Sequence, residues 1–214
     1  MDEGAMMGDV LRRMIVAEAS DLHVAPHQCM QIRVDGALVL EECTPTPQQI
    51  MRLLHEMLTE EQHAELRMRD VDFAWEYAGR RFRGNAYRMH GGIGIALRLL
   101  PERILTPKEI GMPRALRAIA EARDGLALIC GATGAGKTTT LAALIEVINQ
   151  TRGVHIITLE DPIEYIFPPA RAFLSQREAG RDFSAYPDAI RAALREDPDI
   201  LLIGEIRDRA TMEA

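Results

Sequence analysis

In the first hundred residues, hydrophobic side chains alternate with polar or small ones along several short runs. The clearest run is 71–77, where Val71, Phe73, Trp75 and Tyr77 occupy every second position. Strict alternation is typical of a strand with one buried face. Similar patterns predict strands at 22–24, 30–34, 81–88 and 93–100, with glycine-containing turns between the last two and after residue 34.

Helical spacing of hydrophobic residues occurs between these runs. It predicts helices over 8–19 and 48–58. Thr59 followed by Gln62 fits a capping box, which predicts the start of a third, short helix. Antiparallel strands with helices on one side predict an α+β domain over residues 1–100.

The order of elements changes after residues 101–110, a proline-containing stretch that we interpret as a linker. From there on, predicted strands alternate with predicted helices, which favours a parallel sheet and an α/β domain over 111–214. The predicted strands are 126–130, 154–159, 172–176 and 200–203, and the predicted helices are 112–122, 137–150 and 185–195. Because nucleotide-binding sheets usually continue past such a last strand, we expect this domain to be incomplete.

Composition narrows the function classes. The chain has 214 residues, 47% of them hydrophobic, and a formal net charge of −7, which is unfavourable for electrostatic binding of nucleic acid. Cys29, Cys43 and Cys130 lack metal-binding or disulfide spacing, which favours a reducing compartment. No apolar run is long enough to span a membrane and no signal-peptide pattern is present, so we expect a cytoplasmic protein, peripheral to any membrane.

Residues 131–138 match the pattern G-x-x-x-x-G-K-[ST] without interruption. A predicted strand precedes them and a predicted helix follows, which is the context of a nucleoside-triphosphate site. The glycines let backbone N–H groups surround a phosphate, and the helix N-terminus adds positive charge. Lys137 suits the outer phosphates and the Thr138 hydroxyl suits Mg²⁺. The predicted ATP-binding residues are Gly131, Ala132, Thr133, Gly134, Ala135, Gly136, Lys137, Thr138 and Thr139.

Two groups of acidic residues follow later predicted strands. Residues 160–164 read Glu-Asp-Pro-Ile-Glu after one strand, and Glu205 follows another. Because ligands bind at the carboxyl ends of parallel strands, both groups are expected at the edge that carries the glycine loop. Carboxylates there can hold Mg²⁺ or its water shell, or deprotonate the attacking water. The alternative is that they only cap the next turn or helix.

Arginine is frequent on the predicted strands of the first domain. Arg81, Arg83 and Arg98 are candidates to approach a γ-phosphate, in their own chain or in a neighbouring copy. The alternative is a solvated strand face. His23 and His155 lie within apolar runs and are more typical of partly buried structural histidines than of metal ligands.

Together these motifs resemble the secretion ATPase superfamily, and within it the ATPases that retract type IV pili. The residues that carry the resemblance are 19–23, 33–36, 81–86, 131–140, 160–164, 175–178, 192–199 and 204–208. The resemblance extends over nearly the whole chain, about residues 8–214.

The resemblance implies a PAS-like N-terminal domain, a flexible linker and a RecA-like P-loop domain, assembled as a homohexamer that binds ATP between the two domains. It makes Glu164 a candidate catalytic base, places Glu205 near Mg²⁺, and brings Arg83 and Arg98 to the nucleotide phosphates. It further implies a motor at the inner face of the cytoplasmic membrane that acts on an inner-membrane pilus platform protein.

Two alternatives share the same motifs. One is an ATPase of a conjugation, type IVB or type II secretion system, and the other is a non-hydrolysing, nucleotide-binding component of a ring. One position departs from the family pattern, because Gly84 stands where the family usually has an apolar residue. We expect it to loosen its strand.

Overall fold

The fold is described from a computed structural model, which covers residues 3–132 and 134–214, with side chains from residue 8 onwards. The chain divides into two compact units, Met1–Leu100 and Pro101–Ala214. Each unit has its own hydrophobic core.

From residue 3 onwards, where its description begins, the first unit combines three helices with one antiparallel sheet. Its helices are α1 (Glu3–Val16), α2 (Pro47–Met57) and α3 (Glu60–Leu66). Its strands are β1 (Asp21–Val24), β2 (Gln31–Val34), β3 (Ala37–Leu40), β4 (Val71–Tyr77), β5 (Arg80–Met89) and β6 (Gly92–Leu99). The strand order is β3-β2-β1-β6-β5-β4. Apolar residues of all three helices pack with Phe82, Ile95 and Leu97 of the sheet in one core.

Local signals set most of the boundaries in this unit. Both α2 and α3 begin with a capping box, at Thr46 and Thr59, so the predicted box at Thr59 is present. The first helix begins at Glu3 and ends at Val16 rather than spanning 8–19. It ends in a Schellman motif, in which Glu18 has a φ of 48° and Ala19 N–H donates to the Met14 carbonyl.

Gly84 lies opposite Phe73 in the ladder between β4 and β5. A Cβ at Gly84 would stand 2.2 Å from the Phe73 ring. The expectation that Gly84 loosens its strand is therefore wrong, because the glycine makes room for an aromatic ring that is 5% exposed.

Within its described residues, the second unit contains four helices and a parallel sheet. The helices are α4 (Arg114–Glu121), α5 (Lys137–Thr151), α6 (Tyr186–Ala193) and α7 (Arg209–Glu213), and the strands are β7 (His155–Glu160), β8 (Phe173–Glu178) and β9 (Ile200–Ile203). The strand order is β8-β7-β9, and both pairings are parallel. Ile156 packs with α4 and α5, whereas Ile157 and Leu159 pack with α6, so helices cover both faces of the sheet.

The strand predicted at 126–130 is wrong. This segment forms no strand pairing among the described residues, and the side chains of Leu126 and Leu128 are 84% and 66% exposed. Cys130 is exposed as well, and only Ile129 packs against the core. Strand structure depends on a hydrogen-bonding neighbour, and β9 pairs only with β7 among the described strands, so the apolar run stays unpaired.

Candidate nucleotide site

Glycine positions shape the loop that precedes α5. Gly134 and Gly136 have φ values of 78° and 84°, a backbone conformation that residues other than glycine rarely adopt. Gly136 is the N-cap of α5, and its carbonyl accepts a hydrogen bond of 2.8 Å from the Thr140 hydroxyl. The first turn of a 15-residue helix therefore opens directly onto the loop, and its free N–H groups favour an anion there.

The Lys137 ammonium is hydrogen-bonded to its own loop. It donates to the carbonyl oxygens of Gly131 and Ala132, each at 2.9 Å. The same loop is tightened by a hydrogen bond from Ala135 N–H to the Ala132 carbonyl. The cation is thus held at the mouth of the loop by carbonyl groups that are weaker partners than phosphate oxygens.

The next two predicted residues lie in the first turn of α5. Thr138 is partly buried. The Thr139 hydroxyl lies 3.3 Å from the Tyr165 hydroxyl, which ties this turn to the segment after β7. Thr133 lies outside the described residues.

The ends of β7 and β9 approach each other closely. Leu159 pairs with Ile203, and Gly204 N–H donates to the Leu159 carbonyl at 2.8 Å. A Cβ at Gly204 would stand 3.1 Å from that carbonyl oxygen, so this position favours glycine. Glu160, the last residue of β7, and Glu205, which follows β9, therefore lie at one edge of the sheet, as the parallel arrangement predicts.

Glu160 is buried, with 8% of its surface exposed. Its Oε1 accepts hydrogen bonds from the Thr158 hydroxyl at 2.6 Å and from the Gln176 amide at 3.3 Å. The same amide donates to the Tyr165 carbonyl at 2.8 Å, and the Gln176 Oε1 accepts from Phe167 N–H. Gln176 therefore fixes both the buried carboxylate and the chain that runs after it.

The two predicted catalytic acids differ in their surroundings. Glu205 pairs with Arg207, with 2.7 Å between Oε1 and Nε, and its side chain is 32% exposed. Glu164 is partly buried, and within the described residues no hydrogen bond or ion pair holds its carboxylate. The segment that carries it is anchored by Glu178, whose carboxylate accepts from Ile163 N–H at 3.0 Å.

Tyr186 is the first residue of α6, and none of the sequence motifs pointed to its hydroxyl as part of this site. Its hydroxyl is buried and has no hydrogen-bond partner among the described residues. Burial, followed by the negative charges of Asp161, Glu205 and Glu160, raises the pKa of Tyr186 well above its usual range. The phenol therefore stays protonated beside the acidic strand ends, as a potential donor.

The predicted arginines lie in the first unit. Arg83 of β5 and Arg98 of β6 are directly opposite each other in the ladder. Arg98 Nε donates to Asp21 at 2.8 Å, whereas Arg83 has no partner among the described residues. Burial would raise the pKa of Asp21, but hydrogen bonds from Ser20 and Arg98 outweigh it, so the pKa is lowered.

The sequence motifs did not identify four residues near the site. Gln176, Glu178 and Tyr165 hold the segment after β7 in place. The fourth is Tyr186. A sequence signal exists for Gln176 and Glu178, because polar side chains that become buried in a strand of an α/β sheet need hydrogen-bonding partners. The tyrosines carry no such signal, since a tyrosine in an apolar stretch is compatible with ordinary packing.

No helix within the described ranges is long and apolar enough to cross a bilayer. The same residues contain no group of three or more His, Cys, Asp or Glu side chains that could hold a metal ion.

Residues 5–214 match the family model described as Type II/IV secretion system protein. The Type IV pilus retractation ATPase PilT of Pseudomonas aeruginosa is 39% identical over 197 residues, which are 91% of this chain and 57% of that protein.

Two solved structures are similar along the same length. The crystal structure of the pilus retraction motor PilT with bound ADP has a TM-score of 0.90 and 38% identity, and the match covers 96% of this chain and 61% of that one. The Legionella pneumophila ATPase DotB has a TM-score of 0.83 and 26% identity, and the match covers 98% of this chain and 61% of that one. The chain is therefore an α/β protein similar to PilT, and it spans about three fifths of these relatives.

Proposed function

Because the chain belongs to the Type II/IV secretion system protein family, we propose that it is part of an ATP-hydrolysing motor that drives retraction of type IV pili. The observation that carries the proposal is the loop 131–138, which opens onto α5 with two left-handed glycines and Lys137 at its mouth. The greater likeness to PilT than to DotB favours pilus retraction over another secretion process.

The glycine loop is the proposed phosphate-binding element. Its backbone N–H groups and the first turn of α5 bind the phosphates, and Lys137 exchanges the carbonyls of Gly131 and Ala132 for phosphate oxygens. That exchange replaces two neutral acceptors by charged ones, so it strengthens the hydrogen bonds of the ammonium. The full proposed ATP-binding set is Gly131, Ala132, Thr133, Gly134, Ala135, Gly136, Lys137, Thr138 and Thr139.

Thr138 and Glu205 are the proposed Mg²⁺ ligands, with Glu205 acting partly through water. A hydroxyl in the first helical turn and a carboxylate at a strand end fit an ion that keeps several waters and binds one or two protein oxygens. Glu205 is paired with Arg207, so binding of the ion requires this carboxylate to change partner. Bound Mg²⁺ supplies charge neutralisation at the phosphates.

Glu164 is the proposed general base. Its carboxylate is not held by another described side chain, while the surrounding segment is fixed by Glu178 and Gln176. A base that accepts a proton from water needs such a free lone pair on an anchored backbone. Glu160, by contrast, is committed to Thr158 and Gln176, which suits it to a structural role.

Arg83 and Arg98 are proposed to stabilise the charge on the phosphates. Arg83 is the better candidate of the two, because its guanidinium has no described partner, whereas Arg98 must leave Asp21. Charge stabilisation by such arginines is a large contribution in other phosphoryl-transfer sites.

The wider assembly follows the family. We propose a PAS-like N-terminal domain, a linker over 101–110 and a RecA-like domain, in a homohexamer at the inner face of the cytoplasmic membrane. The proposed partner is an inner-membrane platform protein of the pilus. The likeness to DotB supports the second candidate, an ATPase of another secretion system.

Nucleotide binding to the 214-residue chain tests the core of the proposal. A fluorescent ATP analogue should bind in the presence of Mg²⁺, and Lys137→Ala should weaken binding at least about tenfold. Lys108→Ala is the matched control, because it removes the other lysine of the chain from outside the loop. Equal affinity of Lys137→Ala and the unaltered chain would refute the phosphate-binding role.

Hydrolysis is tested with ATP and Mg²⁺ on the protein at its natural length. Glu205→Gln and Glu164→Gln should each reduce the hydrolysis rate by at least about a hundredfold, because each removes a group that acts on the transition state. Glu213→Gln is the control, since Glu213 pairs with Arg209 much as Glu205 pairs with Arg207. Rates equal to that of the control would refute the assignment of the corresponding acid.

A further inference from the structure

The first unit contains a cavity of about 450 Å³ between α2, α3 and the hairpin of β5 and β6. None of its lining residues belongs to the proposed nucleotide site. Volumes of this size are typical of sites for small organic molecules.

Four of the lining residues carry or can acquire positive charge, and none is acidic. The two arginines are Arg67, at the C-cap of α3, and Arg88 of β5; the two histidines are His55 and His63. The remaining walls are apolar, formed mainly by Met51, Leu66 and Ile93. A basic, carboxylate-free lining is notable in a chain whose net charge is −7.

His63 carries an orphaned polar atom at this cavity. Its Nε2 is buried and has no hydrogen-bond partner within the described residues. A buried polar atom without a partner is unfavourable, because it has lost its hydrogen bonds to water. The His55 ring lies beside it, with 4.4 Å between the ring centroids and 36° between the ring planes.

Arg88 retains unused hydrogen-bonding capacity. One of its Nη1 protons goes to the Arg67 carbonyl at 2.7 Å, at the carbonyl end of α3. A guanidinium has five N–H donors in a fork, which leaves the others for a planar or tetrahedral anion. The same contact neutralises part of the negative end of α3, which would otherwise oppose an anion.

A metal ion does not fit this lining. Cations are repelled by the two guanidinium groups, and no carboxylate or thiolate lines the cavity to complete a set with the histidines. An uncharged apolar ligand would offer no acceptor to the remaining N–H donors of the two guanidinium groups.

We propose that this cavity binds a small organic anion, with an aromatic or aliphatic body against Met51, Leu66 and Ile93 and a phosphate, sulfonate or carboxylate group against Arg67, Arg88 and His63. Binding removes apolar surface from water and gives the remaining guanidinium donors of Arg67 and Arg88 an anionic acceptor. The site is independent of the proposed ATPase activity.

The test uses two fluorescent probes of nearly equal shape on the complete chain. One is 8-anilinonaphthalene-1-sulfonate, which is anionic, and the other is N-phenyl-1-naphthylamine, which lacks the sulfonate. The anionic probe should bind at least about tenfold more tightly. In ¹H–¹⁵N spectra, the residues whose resonances shift on its addition should cluster around Met51, His63 and Ile93.

Two variants separate charge from folding. Arg67→Gln combined with Arg88→Gln should weaken the anionic probe about tenfold and leave the neutral probe unchanged. The control combines Arg52→Gln with Arg69→Gln, which removes the same charge from the same unit but from outside the cavity, and it should bind as the unaltered chain does.

Three results would overturn the proposal. They are equal affinity for the two probes, anionic binding that the two arginine substitutions leave intact in a folded variant, and shifted resonances that lie around the exposed apolar segment 126–130 instead of the cavity. Thermal unfolding of each variant establishes that it is folded before its affinity is compared.

Discussion

The Phe73 ring occupies the space where a side chain at Gly84 would begin. We expect Gly84→Ala to destabilise the chain by about 1–3 kcal/mol, because the ring or the strand must shift to admit the methyl group. Urea-induced unfolding measures the change. Gly153→Ala is the control, because a Cβ there meets nothing within 4 Å, and it should leave stability unchanged or slightly raised.

A double substitution tests the cause of that loss. Phe73→Leu removes part of the ring, so the combined variant with Gly84→Ala should cost less than the sum of the two single changes. Strict additivity would show that the glycine is required for another reason.

Two buried tyrosine hydroxyls should respond oppositely to removal. Tyr165→Phe loses the contact with Thr139 and should reduce the free energy of unfolding by about 0.5–1.5 kcal/mol. Tyr186→Phe deletes a buried hydroxyl that lacks a described partner, so stability should stay equal or rise by about 1 kcal/mol. Denaturant titrations of both variants provide the comparison, and a large loss for Tyr186→Phe would show that its hydroxyl has a partner.

Glu109 should titrate far below an ordinary glutamate. Hydrogen bonds from Arg103 and Thr106 lower its pKa to about 2. NMR titration of the Glu109 carboxyl carbon should therefore give a midpoint near that value, and Arg103→Gln should move the midpoint upwards. Because the folded pKa lies below the unfolded one, any stability from this pair is present above about pH 4.5 and is lost as the pH falls towards 2. Arg114→Gln, a charge change elsewhere in the unit, should leave the midpoint in place.

Asp21 should contribute stability mainly above its unfolded pKa. It accepts from Arg98 and lies 3.9 Å from Arg33, and its pKa is lowered. We expect Asp21→Asn to cost about 1 kcal/mol at neutral pH, since the arginines are partly exposed. The difference from the unaltered chain should shrink as the pH falls below about 3.9, where the aspartate also becomes neutral.

Stability curves at several pH values test this point. Asp188→Asn is the control, because Asp188 is 80% exposed in its pair with Arg191 and should make no measurable contribution. A pH-independent cost of Asp21→Asn would indicate that shape rather than charge is responsible.

Local signals predicted much of the fold. The alternation over 71–77 gave β4 with its bounds, and the capping box at Thr59 gave the start of α3. The glycine loop and α5 were likewise predictable, because the motif and the hydrophobic pattern lie within a few residues of each other. These features depend on neighbours in sequence, which a single sequence displays.

The failures involve contacts between distant residues. The run 126–130 has the composition of a strand, but strand structure requires a paired neighbour. Gly84 was misjudged because its meaning depends on Phe73, eleven positions away in sequence and adjacent in space. The arrangement around Glu160 could not be predicted, because Gln176 reaches it only through the pairing of β7 with β8.

The solvent-exposed side chains of Leu126 and Leu128 should lower the solubility of the purified protein. Backbone amide groups that lack a strand partner and are flanked by hydrophobic side chains can pair with a second molecule. We therefore expect aggregation of concentrated samples to begin at this segment. Leu126→Lys or Leu128→Lys should prevent it without disturbing the cores of the two units.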